Sequence, residues 1–145
     1  MYFVDREKIE EQLNYYHELI NQFEAQETWN TFLEKVALER LTHMMIEVIL
    51  DVGNSMIDGF IMRDPGSYDD IVDILIDEKV ITMEIGNDIK ELILWRKQLV
   101  HQYTNIDHKG LIAVFEAKLL SIKAFAPSVK EYLIHELGPV SAFRN

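Results

Sequence analysis

The 145-residue chain has no cysteine, only three prolines and six glycines, and no long apolar run. The absence of cysteine excludes disulfides and thiolate metal sites, and it fits a reducing compartment. No stretch approaches the roughly 20 consecutive apolar residues of a membrane helix, and the start of the chain becomes charged too early for a signal peptide. We therefore expect a cytoplasmic protein that does not enter a membrane.

The composition is typical of one folded domain. Hydrophobic residues make up 48% of the chain and charged residues 27%, which are ordinary values for globular domains and exclude a disordered class. A chain of this size buries about 68 to 70% of its unfolded surface, which is enough for one core. Because we find no internal repeat, low-complexity tract or linker, the sequence predicts a single domain over residues 1–145.

The net charge of -11 is unevenly distributed along the chain. Residues 1–95 contain 7 Lys and Arg against 21 Asp and Glu, a net of -14, whereas residues 96–145 contain 7 against 4, a net of +3. An acidic total disfavours binding to nucleic acid, since phosphate contacts require Lys and Arg. The more basic part of the chain begins at Arg96, so that region is where we look for phosphate chemistry.

Apolar residues recur at steps of three and four throughout, and no segment alternates for long enough to predict a strand. Five helices are predicted, the second running from Thr31 toward Phe60 at the centre of the molecule, and the last expected to bend at Pro127 and to stop at Gly138 and Pro139. Short connections favour antiparallel packing, so the predicted fold class is an all-α antiparallel bundle of four to five helices. The candidate N-caps are Asp5, Thr31, Ser67, Thr82 and Asp107.

The fourth predicted helix, capped by Thr82, ends in the stretch WRKQLVHQY, Trp95 to Tyr103, which combines a guanidinium, an imidazole and a phenol. On an ideal helix Arg96 and Tyr103 lie about 20° apart, but His101 lies about 140° from Arg96. One copy would therefore point the arginine and the histidine in different directions, unless the helix end is distorted near Gln102. Two copies facing across a symmetric interface would bring both groups to one cleft, which makes a homodimer part of the functional hypothesis.

The spacing of Arg96, His101 and Tyr103 resembles the R-x4-H-x-Y signature of HEPN domains, specifically of the HepT-like toxins. Four residues separate the arginine from the histidine, and one residue separates the histidine from the tyrosine. The resemblance extends over roughly residues 5 to 135 and includes the segments VALERL, ILDVG, DPGSYDDIVDIL and RKQLVHQYTNID. One position departs from the pattern. Many members have asparagine directly after the arginine, and this sequence has Lys97.

The resemblance implies a homodimeric, metal-independent endoribonuclease toxin that needs no cofactor. In that reading His101 is the acid or the base, one from each subunit, and Arg96 binds the scissile phosphate with Lys97 as an auxiliary cation. Both residue types suit these roles, because histidine transfers protons near neutral pH and arginine donates bidentately to phosphate. The resemblance also implies that a partner nucleotidyltransferase antitoxin attaches AMP to Tyr103 and thereby silences the toxin.

Several alternatives stay open at this point. The alternative to the nuclease hypothesis is a non-catalytic HEPN-type module that binds a partner protein or a nucleotide. The polar stripe of the second helix is a solvated face, or Arg40, Glu47 or Asp51 from it lines the cleft. Trp95 is expected in the core rather than under a nucleobase. An acidic run faces solvent or a basic partner, and it comprises Asp69, Asp70, Asp73, Asp77 and Glu78. Glu39 with His43 and Glu131 with His135, each four residues apart, are interpreted as local surface pairs rather than metal ligands. His17, His108 and His135 have no converging partners in the sequence, and no role is assigned to them.

Overall fold

The computed structural model describes residues 2–138, and all of the regular secondary structure in that range is helical. This confirms the predicted all-α class. Seven helical segments are present within the described range: α1 Arg6–Ala25, α2 Phe32–Gly59, α3 Tyr68–Asp77, α4 Met83–Ile93, α5 Arg96–Val100, α6 His108–Ala117 and α7 Leu119–Leu137.

All five predicted N-caps are confirmed. Each side-chain oxygen accepts a hydrogen bond from the backbone N–H three residues further on, which satisfies one of the amides that the first helical turn leaves without a partner. At α2 the cap is reciprocal: Thr31 Oγ1 accepts from Glu34 N at 3.1 Å, and Glu34 Oε1 accepts from Thr31 N at 2.9 Å. The other caps are Asp5, Ser67, Thr82 and Asp107.

The last predicted helix is divided at Lys118 into α6 and α7. The expected bend at Pro127 is therefore misplaced, because Pro127 lies inside α7 without ending it. At the C-terminal end of α7 Gly138 adopts a positive φ of 83°, which glycine tolerates without steric cost, and its N–H bonds to the carbonyl of Ile134 at 2.8 Å. The predicted stop at Gly138 is confirmed, and Pro139 lies outside the described residues.

α2 is the central helix of the bundle, as the sequence predicts. It contacts α1, α3 and α5, and 12 of its 28 residues are buried. α1 is fixed against α7 by Tyr16, whose fully buried hydroxyl donates to the carbonyl of Ile122 at 2.7 Å and whose ring packs edge-on against Phe125. Burial raises the pKa of Tyr16. α2 is therefore held within the bundle by its neighbours, and the polar residues that it directs toward α5 rest on a packed helix.

None of the helices within residues 2–138 has both the length and the apolar character that crossing a membrane would require.

Candidate active site on α2 and α5

Arg96 is held in a fixed orientation at the start of α5. Its Nε donates to Glu47 Oε1 of α2 at 2.7 Å, and its guanidinium carbon lies 4.8 Å from the centre of the Tyr68 ring. The side chain keeps 23% of its surface exposed. Among residues 2–138 no protein group accepts a hydrogen bond from either terminal nitrogen of this guanidinium. The side chain is thus anchored by its Nε and its flat face, while both Nη groups stay available to an anion.

Glu47 connects Arg96 to a second polar side chain of α2. The same carboxylate oxygen, Oε1, lies 3.0 Å from His43 Nε2, one helical turn earlier. One turn later, desolvation and the negative charge of Glu47 raise the pKa of Asp51, and Lys8 partly offsets that shift. Glu47 therefore occupies the centre of a small network on one face of α2, with Arg96 as its partner from α5.

Part of the polar stripe of α2 supports the candidate site, and the rest is a solvated face, so each of the two predictions made for the stripe holds for some of its residues. Glu47 and His43 are partly buried and belong to the Arg96 network, whereas the other four positions of the stripe do not contact it. The solvated part of the stripe comprises the exposed residues Arg40, Asp51, Asn54 and Asp58. Of the three candidates for supporting the cleft, the structure brings only Glu47 into contact with Arg96.

The helix that carries the motif is interrupted just before it. The sequence predicts one helix from Thr82 through Tyr103, but α4 ends at Ile93 and α5 begins at Arg96. At the break the N–H of Trp95 bonds to the carbonyl of Leu92, three residues earlier, at 3.0 Å, which is a tight 3₁₀ turn. Trp95 is partly buried against the core, as expected.

His101 and Tyr103 lie beyond the end of α5, which stops at Val100. The N–H of Gln102 is shared between the carbonyls of Lys97 and Gln98 at 3.1 Å each, and the bond to Lys97 spans five residues instead of four. The predicted helix through Tyr103 therefore ends too late by three residues, and the angles of an ideal helix do not apply to Tyr103. The deviation arises because the helix widens and ends before it reaches Tyr103.

The other predicted site residues project from this helix end into solvent. Lys97, His101 and Tyr103 are all exposed, and Tyr103 exposes 66% of its surface. Within the described chain no hydrogen bond or ion pair joins Arg96 to His101. A single copy thus presents an anchored guanidinium and a separate, solvent-facing imidazole.

The loop between α5 and α6 is fixed at its far end. Gln98 Oε1 accepts a hydrogen bond from the N–H of Asp107 at 2.9 Å, which ties the start of α6 back to α5. At Gly110 an added Cβ would lie 2.6 Å from Cη2 of Trp95, so only glycine permits this approach of α6 to the indole. Both ends of the segment that carries His101 and Tyr103 are therefore anchored.

A second imidazole and carboxylate pair lies two turns from Glu47 on α2. His108 Nε2 lies 2.6 Å from Glu39 Oε2, so the sequence interpretation that gave His108 no partner is wrong. The expected local pair of Glu39 with His43 is also wrong, since His43 pairs with Glu47 instead. Sequence spacing could not have found a contact between residues 69 positions apart. No group of three or more His, Asp or Glu side chains in residues 2–138 is arranged to hold a metal ion.

The acidic run of α3 is partly neutralised by the chain's own cations. Arg63 pairs with Asp70 at 3.2 Å and with Asp77 at 3.0 Å, and Lys90 of α4 pairs with Asp73. Three of its five carboxylates are therefore engaged within the chain, and not simply exposed to solvent as expected.

The all-helical bundle and the R-x4-H-x-Y spacing of Arg96, His101 and Tyr103 agree with the resemblance to HEPN domains. The family model described as "Ribonuclease HepT-like" matches residues 9–129. The chain belongs to the HepT-like family of the HEPN superfamily.

The similar proteins agree with this assignment. The Bacillus subtilis (strain 168) protein named "Putative RNase YutE" is 50% identical over 144 residues, which is 99% of this chain and 100% of the relative. The solved structure of YutE, described as a cytosolic protein of unknown function, superposes with a TM-score of 0.95 over the same shares of the two chains.

A more distant solved structure is similar in fold. The tri-AMPylated HEPN toxin of Shewanella oneidensis, in complex with an MNT antitoxin, is 17% identical with a TM-score of 0.75, covering 85% of this chain and 96% of that toxin. At this level of identity the likeness concerns the fold alone.

Proposed function

We propose that this protein is a metal-independent endoribonuclease toxin of a HepT-type toxin-antitoxin pair, active as a symmetric dimer. The observation that carries the proposal is the state of Arg96. Its Nε is bound to Glu47 and its face lies against Tyr68, so the two terminal nitrogens are aligned before any ligand arrives. Preorganised donors of this kind stabilise developing charge without a reorganisation cost during the reaction.

The chemistry follows from the two residue types. A base removes the proton of the ribose 2′-hydroxyl, the 2′-oxygen attacks phosphorus, and the bond from phosphorus to the 5′-oxygen breaks as an acid protonates that oxygen. The products are a 2′,3′-cyclic phosphate and a free 5′-hydroxyl. His101 of one subunit serves as base and that of the other as acid, since imidazole exchanges protons near neutral pH. Arg96 binds the non-bridging oxygens, where negative charge accumulates.

Lys97 acts as an auxiliary cation in this scheme. It follows Arg96 directly, is exposed, and forms no ion pair with any residue in the described range. Many family members have asparagine at this position, and lysine keeps a hydrogen-bond donor while adding positive charge. In a chain with a net charge of -11, an additional cation beside the cleft would strengthen the attraction of RNA phosphates.

Tyr103 is the proposed site of regulation, and its partner is a nucleotidyltransferase antitoxin that attaches AMP. Its exposure supports this role, because a modifying enzyme must reach the phenol oxygen. The Shewanella HEPN toxin of the same fold was solved in a tri-AMPylated form with an MNT antitoxin. An adenylate on Tyr103 would place a phosphate and a base close to His101 and compete with RNA for the cleft.

The proposed dimer is supported by the absence of a hydrogen bond or ion pair between Arg96 and His101 within residues 2–138 of one copy. We expect light scattering to give about twice the monomer mass of 17.0 kDa at micromolar concentration. A monomeric mass under those conditions would contradict a composite cleft, because that cleft requires His101 and Arg96 from two copies.

Glu47 is expected to act as a positioning residue for Arg96. Glu47→Ala should lower kcat/KM for RNA by roughly 10- to 100-fold, since a hydrogen bond to a charged group contributes about 1.5–3 kcal/mol. The loss should fall mainly on kcat if the guanidinium is aligned for the transition state. Glu47→Gln keeps an oxygen acceptor and should recover most of the rate. Asp58→Ala, an exposed carboxylate of the same helix, is the control; equal effects of Asp58→Ala and Glu47→Ala would refute positioning.

The experiment that tests the proposed function is incubation of purified protein with structured and unstructured RNA in excess chelator. We expect cleavage of at least one RNA class, with 2′,3′-cyclic phosphate ends. An intact RNA pool in both cases would favour the second candidate, a HEPN-type module that binds a partner protein or a nucleotide without cutting it. The exposed, anchored loop of His101 and Tyr103 is the surface such a module would use.

A further inference from the structure

A cavity of about 330 Å³ lies beside the loop that carries His101 and Tyr103, between the α1–α2 connection and the start of α6. Its volume is at the lower end of the range for small-molecule sites, so it suits one nucleotide-sized group. The residues that line it include Trp29, Lys35, Lys109 and Ile112, together with His108. An aromatic ring, an aliphatic wall and several basic side chains thus converge in one depression.

The two lysines that line this cavity have no carboxylate partner among the described residues. In the part of the chain that the structure describes, neither Lys35 nor Lys109 forms an ion pair. The carboxylate of Asp107 also lines the cavity, where its Oδ1 accepts from Gly110 N at 3.0 Å, and His108 is paired with Glu39. Six cations elsewhere do pair with carboxylates, namely Arg63, Lys90, Arg96, Lys118, Lys123 and Lys130. In so acidic a chain, two lysines without an ion-pair partner, against the one carboxylate of Asp107 in the cavity lining, are a local attraction for an anion.

Trp29 is a rigid aromatic surface rather than a mobile one. Its ring stacks on Phe23 at a centroid distance of 5.9 Å and an interplanar angle of 23°, and it is partly buried against the core. A fixed indole loses little entropy when a flat ligand stacks on it. Nucleobases stack on such rings without regard to sequence.

The cavity lies within reach of the proposed cleavage site along α2. Glu39 holds His108 at the cavity, and Glu47 holds Arg96 at the site. These two glutamates are eight residues apart, or about 12 Å along the helix axis. An RNA strand with a phosphate at Arg96 would need to span about this distance along α2 to reach the cavity.

We infer that this cavity binds a flanking nucleotide of single-stranded RNA, with the base stacked on Trp29 and its phosphate between Lys35 and Lys109. The inference rests on the proposed function and adds a second subsite to it. Single-stranded RNA is favoured over a duplex because only an unpaired base can leave its stack and lie on the indole.

The test is the affinity for a fluorescent single-stranded RNA oligonucleotide, measured by anisotropy in the His101→Ala background so that the ligand stays intact. The double variant Lys35→Gln, Lys109→Gln should raise Kd by about tenfold or more. The slope of log K against log salt should also become shallower by about 0.7, because one phosphate of the single strand loses its lysine contacts. Lys8→Gln, Lys79→Gln is the matched control, since it removes two unpaired lysines outside the cavity; its Kd should change by less than about twofold.

Two further arms separate the possible occupants. Trp29→Leu should weaken RNA binding by about tenfold, and Trp29→Phe should retain most of it; the Phe variant keeps a ring on Phe23 if the Leu variant unfolds. AMP alone is titrated in parallel, and loss of AMP binding without loss of RNA binding would overturn the assignment to an RNA strand. Equal weakening of RNA binding by the two double lysine variants would overturn the assignment of the subsite to this cavity. RNA cleavage by the wild type would in that case still uphold the proposed function. Absence of any RNA binding and cleavage would overturn both.

Discussion

Substitution of His101 by alanine is expected to lower the rate of RNA cleavage by roughly 10²–10⁴-fold, the usual contribution of a general acid or base. In the proposed dimer the same change removes both the group that takes the 2′-hydroxyl proton and the group that protonates the 5′-oxygen. The fold should be unaffected, because the His101 side chain is exposed and makes no hydrogen bond with the described residues. The measurement is initial cleavage rates of wild type and variant in excess chelator, with thermal unfolding as the check on folding.

His17→Ala is the matched control for this prediction. His17 is an exposed imidazole of α1, remote in sequence from α5, and the wild-type rate should survive its removal. A comparable loss of rate in both variants would point to a contaminating nuclease or to destabilisation. Equal cleavage by wild type and His101→Ala would remove His101 from the chemistry and favour the non-catalytic module.

The helix starts were predictable because each depends on a contact within one turn. Asp5, Thr31 and three other caps all bind the amide three residues further on, a spacing that the sequence shows directly. The end of the motif helix was not predictable in this way. The turn at Trp95 accompanies its contact with Gly110 of α6, a tertiary constraint that no local pattern records.

The surroundings of Arg96 were predictable only in part. Helical periodicity placed Glu47 on a polar stripe and left open whether the stripe faced solvent or the cleft. The choice depended on a contact across 49 residues, which brings α5 against α2. No sequence pattern predicted the contact between the Tyr68 ring and the Arg96 guanidinium, since a tyrosine at the first residue of a helix is ordinarily a surface residue.

Loss of adenylation in Tyr103→Phe is the second large effect that we expect. A nucleotidyltransferase with ATP should modify the wild type, the phenol oxygen attacking the α-phosphorus while pyrophosphate leaves. Phenylalanine keeps the ring but lacks the nucleophile, so incorporation of labelled adenylate should fall to background. RNA cleavage by Tyr103→Phe should remain near the wild-type rate, since the proposed chemistry needs only Arg96 and His101. The antitoxin should therefore no longer silence this variant.

Tyr15→Phe provides the matched control for Tyr103→Phe. Tyr15 is also exposed, at 39%, but it lies on α1, far along the chain from the motif. We expect full labelling of Tyr15→Phe and full silencing of its cleavage activity. Labelling of Tyr103→Phe at the wild-type level would place the modification on another residue. Labelling of Tyr103 without loss of cleavage would show that an adenylate at the end of α5 leaves the cleft open, because we expect an adenylate close to His101 to exclude RNA from the cleft.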